Sequence, residues 1–224
     1  MFEPQHGRPV AAIEAGAITA IRTAAASAVA TDILARQDAT SLAVLGYGEQ
    51  AHVHIEAIGK IRQLSTILVW GRNPTRAEAF ADEQRKNAGC NVSVARSAAE
   101  AAANAEIICT ITAAREPFFR GDWLRPGMHL NVVGASMPDT AEVDTQTVLR
   151  SRVYADFVDS ALTLAGELRT ALKNGAIDKT HVVGSIGDVI LDRIPGRTTE
   201  NDITLFRSDR KSTRLNSSHP YRSR

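Results

Sequence analysis

Apolar positions first recur in residues 18–37, where Ile21, Ala25, Ala28 and Ile33 fall near helical spacing and neither glycine nor proline interrupts. That pattern predicts a helix. A continuous apolar run, SLAVL at 41–45, stops at a glycine, and helical spacing resumes over 50–61; this is the order of a buried strand, a tight turn and a helix. TILVW at 66–70 predicts the next strand, after which Asn73 offers an N-cap and Pro74 the first position of a helix running to about Lys86. The alternation continues with a strand at 91–94, an alanine-rich helix capped by Ser97, and strands at 106–111 (EIICTI), 129–133 (HLNVV) and 152–155. Strands alternating with helices at this spacing pair in parallel, because parallel neighbours need a crossover, and the crossover helices cover both faces. The predicted fold class is therefore α/β, a doubly wound parallel sheet, with ligands at the carboxyl ends of its strands. Past residue 160 the rhythm changes to a helix at 161–173, a glycine-containing break, an apolar stretch at 182–191 and a polar loop through 199. This reads as a return to another layer.

The 224 residues suffice for one full domain and an incomplete second. With 44% hydrophobic and 23% charged residues, the composition excludes a fibrous or wholly disordered chain. No apolar run approaches the roughly 18 residues of a bilayer span, and MFEPQHGRPV lacks the apolar core of a secretory signal. No membrane partner is expected, and the expected location is the cytoplasm. The net charge of +1 conceals an asymmetry: the last sixteen residues, DRKSTRLNSSHPYRSR, hold five basic residues against one acidic, which leaves about −3 on residues 1–208. With no basic face in the patterned region, a nucleic-acid partner is not expected, and the tail at 209–224, lacking any apolar periodicity, is expected to be disordered and foreign to the fold. Arginine outnumbers lysine 21 to 5, but the arginines are scattered and point to no function. Cys90 and Cys109 are too few for a disulfide framework and are expected to be buried thiols. No metal site is expected, since His52 and His54, two apart in a predicted helix, point in different directions; both are expected to be surface polar residues.

The most informative residues are Gly46-Tyr47-Gly48-Glu49-Gln50-Ala51, a GxGxxA pattern directly after a strand and opening a helix. In a Rossmann dinucleotide-binding domain the first glycine permits the tight turn and the second lets backbone approach a pyrophosphate. The small third residue lets helix and strand pack closely, and the helix N-terminus supplies N–H groups and a positive dipole. The competing reading is that the glycines only shape a βα turn. NAD-preferring domains place an acid at the end of the second strand, about 20 residues on; here the chain reads Trp70-Gly71-Arg72-Asn73. A guanidinium and an amide there match a 2′-phosphate, so NADP(H) is expected over NAD(H), which remains possible. The alternative is that Arg72 only solvates a loop and Asn73 only caps a helix.

Together, IRTAAASAVAT, LGYGEQA, VWGRNPTRAEAF, VVGASMPDTAEVD, AGEL and DITLFRS resemble the ornithine cyclodeaminase/μ-crystallin family over residues 8–208. The resemblance implies an NAD(P)-dependent oxidoreductase acting at the α-carbon of an imino or amino acid, by ketimine reduction or amino-acid dehydrogenation. It places Arg22 and Thr23 on cofactor phosphate, Gly46, Tyr47, Gly48, Glu49 and Gln50 on the pyrophosphate, and Arg72 and Asn73 at the adenosine ribose. It sets Thr112 and Ala113 beside the cofactor, Val133, Ser136 and Met137 around the nicotinamide and substrate, and Glu167 and Ser208 on the substrate side. The cyclodeaminase branch has a catalytic aspartate where this chain has Ser136, and a neutral hydroxyl is a poor base. The GASxPD form resembles the ketimine-reductase side instead, with Ser136 the candidate catalytic position. Ornithine cyclodeamination with NAD, and non-catalytic binding of NADPH and a small ligand, are the alternatives.

Family members carry a preceding segment that grips the substrate and pairs subunits. A homodimer is therefore expected of the full-length protein, and this chain alone is expected to be inactive. The implied organisation is a partial substrate and dimerisation domain with its connecting helix at 1–38, a Rossmann domain at 39–160, a return segment at 161–208 and the tail at 209–224. Asp139, Glu142 and Asp144 read as caps of a following helix, Cys109 as core, and Trp70 and Trp123 as packing residues.

Overall fold

The computed structural model describes residues 3, 5–11, 16–135, 137 and 139–208. Ser136 and the tail at 209–224 lie outside the described residues. The first half alternates: α1 (Gly16–Leu34), β1 (Ser41–Leu45), α2 (Glu49–Gly59), β2 (Thr66–Trp70), α3 (Pro74–Arg85), β3 (Asn91–Val94), α4 (Ala98–Ala103) and β4 (Ile107–Thr110). The second half adds β5 (His129–Val132), α5 (Thr145–Leu149), β6 (Arg152–Ala155), α6 (Val158–Leu164), α7 (Gly166–Lys173), β7 (Val182–Ser185), α8 (Ile186–Ile190) and β8 (Thr204–Arg207). All eight strands form one parallel sheet in the order β3-β2-β1-β4-β5-β8-β6-β7. The order reverses between β1 and β4, which is where a doubly wound sheet opens its crevice.

The two-residue side-chain period of a strand divides the core. Leu42 and Val44 of β1 join a cluster with Ile55 and Ile58 of α2 and Phe80 of α3, whereas Ala43 and Leu45 join one with Ala98 and Ala101 of α4 and Leu168 of α7. Both faces are buried, as apolar runs without alternation require. The N-caps behave as the sequence implies: Asn73 accepts from the Arg76 N–H at 3.0 Å and Ser97 from the Glu100 N–H at 3.0 Å.

Three features depart from the sequence reading. The helix expected at 161–173 is two helices, because Ala165 between them is extended (φ −77°, ψ 113°). The apolar stretch 182–191 divides at Ser185, whose hydroxyl caps α8 by accepting from the Asp188 N–H at 3.1 Å. The returning segment joins the sheet instead of leaving it: β7 forms one edge, and β8, unread as a strand, inserts between β5 and β6.

Among the described residues α1 is the one helix long and apolar enough to cross a bilayer, a length and composition the sequence reading did not credit to it. It reaches that threshold despite Arg22 and Asp32, and here it covers the sheet, packing on α2, β5 and β8. Its buried polar side chains are all answered. The Thr23 hydroxyl donates to the Thr19 carbonyl at 2.6 Å, Ser27 meets His54 Nε2 at 3.0 Å, and Thr31 accepts from Asn131 Nδ2 at 2.8 Å. At its C-terminus Arg62 donates to the Thr31 and Asp32 carbonyls at 3.2 and 3.0 Å, and Arg197 to that of Leu34 at 2.8 Å. These guanidinium groups satisfy last-turn carbonyls and complement the negative end of the helix dipole.

Two buried histidines make this packing sensitive to pH. His54, expected at the surface, is instead fully buried under α1: its Nδ1 donates to the Gln50 carbonyl at 2.6 Å, which leaves Nε2 to accept from Ser27, and burial pushes its pKa down to about 4. His129 lies under α1 with Nδ1 on Thr204 Oγ1 at 2.9 Å, and burial, with the field of Arg197, pushes its pKa down to about 3. Both are neutral in the fold and titrate near 6.5 when unfolded. The unfolded chain therefore binds protons first as pH falls. Below pH 6.5 and down to about 4 the unfolding free energy should drop at up to about 1.4 kcal/mol per pH unit for each histidine. Urea unfolding followed by circular dichroism from pH 7 to 4.5 checks this, and His129→Asn should roughly halve the slope.

Candidate active site

At the carboxyl end of β1 the chain turns so tightly that Gly46 sits at φ +135°, where an added Cβ would fall 2.3 Å from the Ile111 carbonyl oxygen. Its N–H donates to the Trp70 carbonyl at 2.8 Å, binding the turn to the end of β2. Gly48 is the N-cap of α2 with no side-chain cap, and a Cβ there would meet nothing within 4 Å. Open space thus lies over the positive end of α2, and Gln50, buried in its first turn, holds an Oε1 with no hydrogen-bond partner. Tyr47 lies over Gly71, where a Cβ would leave 2.1 Å to the ring, and the Arg76 guanidinium stands 5.1 Å from that ring's centre. These residues fit a dinucleotide: a backbone cradle, a dipole and an unanswered polar atom occur together at the switch point.

The remaining expected cofactor residues distribute around this cradle. Arg72 is exposed at the end of β2, with no hydrogen bond or ion pair among the described residues, while Asn73 Oδ1 is engaged in capping α3. Ser27 meets His54 and Thr31 meets Arg62, so α1 and α2 run the same way, and Arg22 and Thr23, a turn before Ser27, lie toward the start of α2. The Thr23 hydroxyl already donates within its own helix. Thr112 is half-buried and Ala113 exposed just beyond β4, Val133 is buried just beyond β5, and Met137 is 53% exposed.

What joins the β4 and β5 sides is Glu142, and the reading of it as a helix cap is corrected here. Asp144 caps α5, accepting from the Thr147 N–H at 2.8 Å. Glu142 is fully buried and accepts four hydrogen bonds: from the Thr112 N–H at 2.6 Å, the Thr112 hydroxyl at 2.7 Å, the Thr110 hydroxyl at 2.8 Å and the Gly134 N–H at 2.6 Å. The close approach requires glycine at 134, since a Cβ there would lie 2.1 Å from the Thr112 carbonyl oxygen. Burial pushes the Glu142 pKa up, and the four donors hold that rise back. Its spacing in the sequence is that of a cap, so no local signal separates it from its neighbours.

Glu167 and Ser208 are buried on the other side of β5 and turned toward protein groups. Glu167, in the first turn of α7, forms an ion pair with Arg207, the last residue of β8. The Arg207 guanidinium also donates to the Val132 carbonyl at 3.1 Å and to the carbonyls of Ala135 and Ser208, so it holds the backbone that leads to residue 136. The Ser208 N–H donates to the Val132 carbonyl at 3.1 Å and its hydroxyl to Asp156 at 3.4 Å. Arg207 lies inside the DITLFRS motif but is not among the residues the sequence singles out; a basic residue in a short apolar run is the signal that was there to use.

The profile of the ornithine cyclodeaminase/mu-crystallin family matches residues 1–210 of this chain. The chain belongs to that family. A Delta(1)-pyrroline-2-carboxylate reductase of Colwellia psychrerythraea is 32% identical over 209 residues, covering 93% of this chain and 66% of its own length. Mouse ketimine reductase mu-crystallin is 34% identical over 208 residues, covering 93% of this chain and 62% of its own. Among solved structures, the Thermococcus litoralis Delta(1)-pyrroline-2-carboxylate reductase in complex with NADH and L-proline superposes with a TM-score of 0.88 at 36% identity, covering 92% of this chain and 64% of that one. An archaeal alanine dehydrogenase dimer with bound NAD gives 0.85 at 28% identity, covering 92% and 63%. The chain thus spans just under two thirds of the length of the relatives it matches.

The buried Glu167–Arg207 pair generates a stability prediction. Arg207→Met alone leaves a buried carboxylate without its cation and should lower the unfolding free energy by about 3–5 kcal/mol. The double variant Glu167→Met/Arg207→Met removes both charges and should recover only part of that loss, because the Ala135 and Ser208 carbonyls still lose the Arg207 donor. Guanidinium unfolding of the two variants against the unaltered chain measures the difference.

Proposed function

We propose that this chain is the nucleotide-binding part of an NADP(H)-preferring oxidoreductase that reduces a C=N bond next to a carboxylate, a cyclic ketimine or related imino acid. The observation that carries the reading is the open backbone at Gly48 over the uncapped start of α2, where the sheet order reverses between β1 and β4. Family membership and the named reductases at 32–36% identity support the reaction class. A bound nicotinamide dinucleotide would supply the hydride that converts the imino carbon to the α-carbon of an amine.

The chain's own residues serve binding and orientation. The first N–H groups of α2, with Gly46, Tyr47, Gly48, Glu49 and Gln50, would hold the pyrophosphate, and Arg22 and Thr23 would reach it from α1. Thr112, Ala113 and Val133 would form the walls beside the nicotinamide, Ser136 and Met137 would face the substrate, and Glu167 and Ser208 would support that side from behind. Preference for the 2′-phosphate is supported by Arg72, whose guanidinium is exposed, has no hydrogen bond or ion pair among the described residues, and is placed where NAD-selective domains carry a carboxylate. The relatives solved with NADH or NAD show what those proteins bind, and the residue at 72 argues for a different choice here.

Titrating the chain calorimetrically with NADPH and with NADH tests the reading. NADPH should bind at least about tenfold tighter, the worth of one charge-assisted contact, and Arg72→Ala should abolish the difference while leaving NADH affinity unchanged. A preference for NADH in the unaltered chain would overturn the role given to Arg72.

A further inference from the structure

Among the buried ionisable groups, Glu142 stands apart. Glu167 is balanced by Arg207, whereas the surroundings of Glu142 are four neutral donors and no cation within ion-pair distance among the described residues. Two of its donors are backbone N–H groups, one on each oxygen: Thr112 N on Oε1 and Gly134 N on Oε2. An N–H can only donate, so each oxygen is held as an acceptor, the arrangement that favours the ionised carboxylate. Burial pushes its pKa up and the four donors oppose that rise; ionised, it would place a net negative charge beneath the carboxyl ends of β4 and β5, away from solvent.

That position carries a consequence that rests on the cofactor reading above. A doubly wound sheet is built of two mononucleotide-binding halves. The adenosine half belongs to β1, β2 and β3, where Arg72 lies, so the half over β4 and β5 falls to the nicotinamide. Hydride transfer breaks a C–H bond of the neutral reduced ring, forms one at the imino carbon and leaves the ring cationic; a protonated imine nitrogen becomes a neutral amine. We propose that Glu142 is a positioning residue that acts in two ways at once: it fixes the Thr112 and Gly134 walls, and its unneutralised charge favours the cationic, oxidised ring over the neutral, reduced one. The fold would then bias the bound cofactor toward giving up hydride.

A purely structural role for Glu142 predicts that both cofactor forms lose affinity together, so the ratio of affinities is the decisive quantity. Kd for NADP+ and for NADPH is measured by titration in the unaltered chain, in Glu142→Gln and in Thr110→Val, which removes one donor but keeps the charge. Glu142→Gln should raise the ratio Kd(NADP+)/Kd(NADPH) about five- to tenfold, the effect of one charge acting across several ångströms of protein, and Thr110→Val should leave the ratio within twofold of the unaltered chain. An unchanged ratio in Glu142→Gln, or the same shift in Thr110→Val, overturns the proposal.

Should Glu142→Gln fail to fold, infrared difference spectra of the unaltered chain labelled with 13C-glutamate decide instead. An ionised carboxylate band that moves between the NADP+ and NADPH complexes, is absent when label is withheld and shifts in Thr110→Val, which removes a hydrogen bond to Glu142, is the expected result. A protonated carboxyl band, or no cofactor-dependent band, overturns the proposal. If neither cofactor form binds the unaltered chain, the cofactor reading itself fails; binding with an unchanged ratio removes only the role given to Glu142.

Discussion

A buried carboxylate bound by four neutral donors holds the two sides of the crevice together. Strands β4 and β5 are neighbours through backbone hydrogen bonds along their length, but beyond Thr110 and Val132 the ladder ends and the chain must leave in two directions. Glu142 replaces the missing ladder with four short hydrogen bonds and draws the loop after β4, the loop after β5 and the approach to α5 onto one buried point. Because a carboxylate has lone pairs for about four donors, it is the one side chain that can serve two backbone N–H groups and two hydroxyls at once. Gly134 is then obligatory, since nothing larger admits the Thr112 backbone that the carboxylate holds so close.

The second buried carboxylate solves a different problem. Glu167 meets a guanidinium that reaches across from β8 to three carbonyls, so charge neutrality and backbone support come from the same side chain. Similar use of arginine recurs through the fold. Arg62 and Arg197 close the end of α1, and Arg150 donates to the carbonyls of Gly121 and Leu124. The high ratio of arginine to lysine thus has a structural outlet: a planar fork with five donors can satisfy several carbonyls where a loop crosses a strand or helix end, and an ammonium cannot match that geometry.

Helix α1 shows how apolar composition and polar anchoring combine. Ala20, Ala24, Ala28 and Leu34 lie against the core, while Thr31 and Ser27 reach Asn131 and His54 from the same side. The small residues bring the helix close to α2, and the buried hydroxyls fix its register, since sliding by one turn would strand Asn131 and His54 without partners. Ile18, Ile21 and Val29 remain on its outer side, 42–64% exposed.

The sequence by itself determined most of the sheet. Strands such as SLAVL, TILVW and HLNV are legible because parallel strands covered on both faces need continuous apolar runs, and the glycine loop is legible because a strand, a tight turn and a helix leave a local signature. Asn73 and Ser97 were readable as caps for the same reason: capping is decided within four residues. Tertiary structure decided the rest. TLFR became a central strand only because β5 and β6 leave a gap that its backbone fills, which is a pairing across some seventy residues on one side and fifty on the other. Glu142 and Asp144 are two residues apart and alike in charge, yet one caps a helix and the other sits at the centre of the crevice. That difference arises from burial and from donors on Thr110, Thr112 and Gly134, and the pattern of a single stretch of chain contains no record of which distant N–H groups will converge on it.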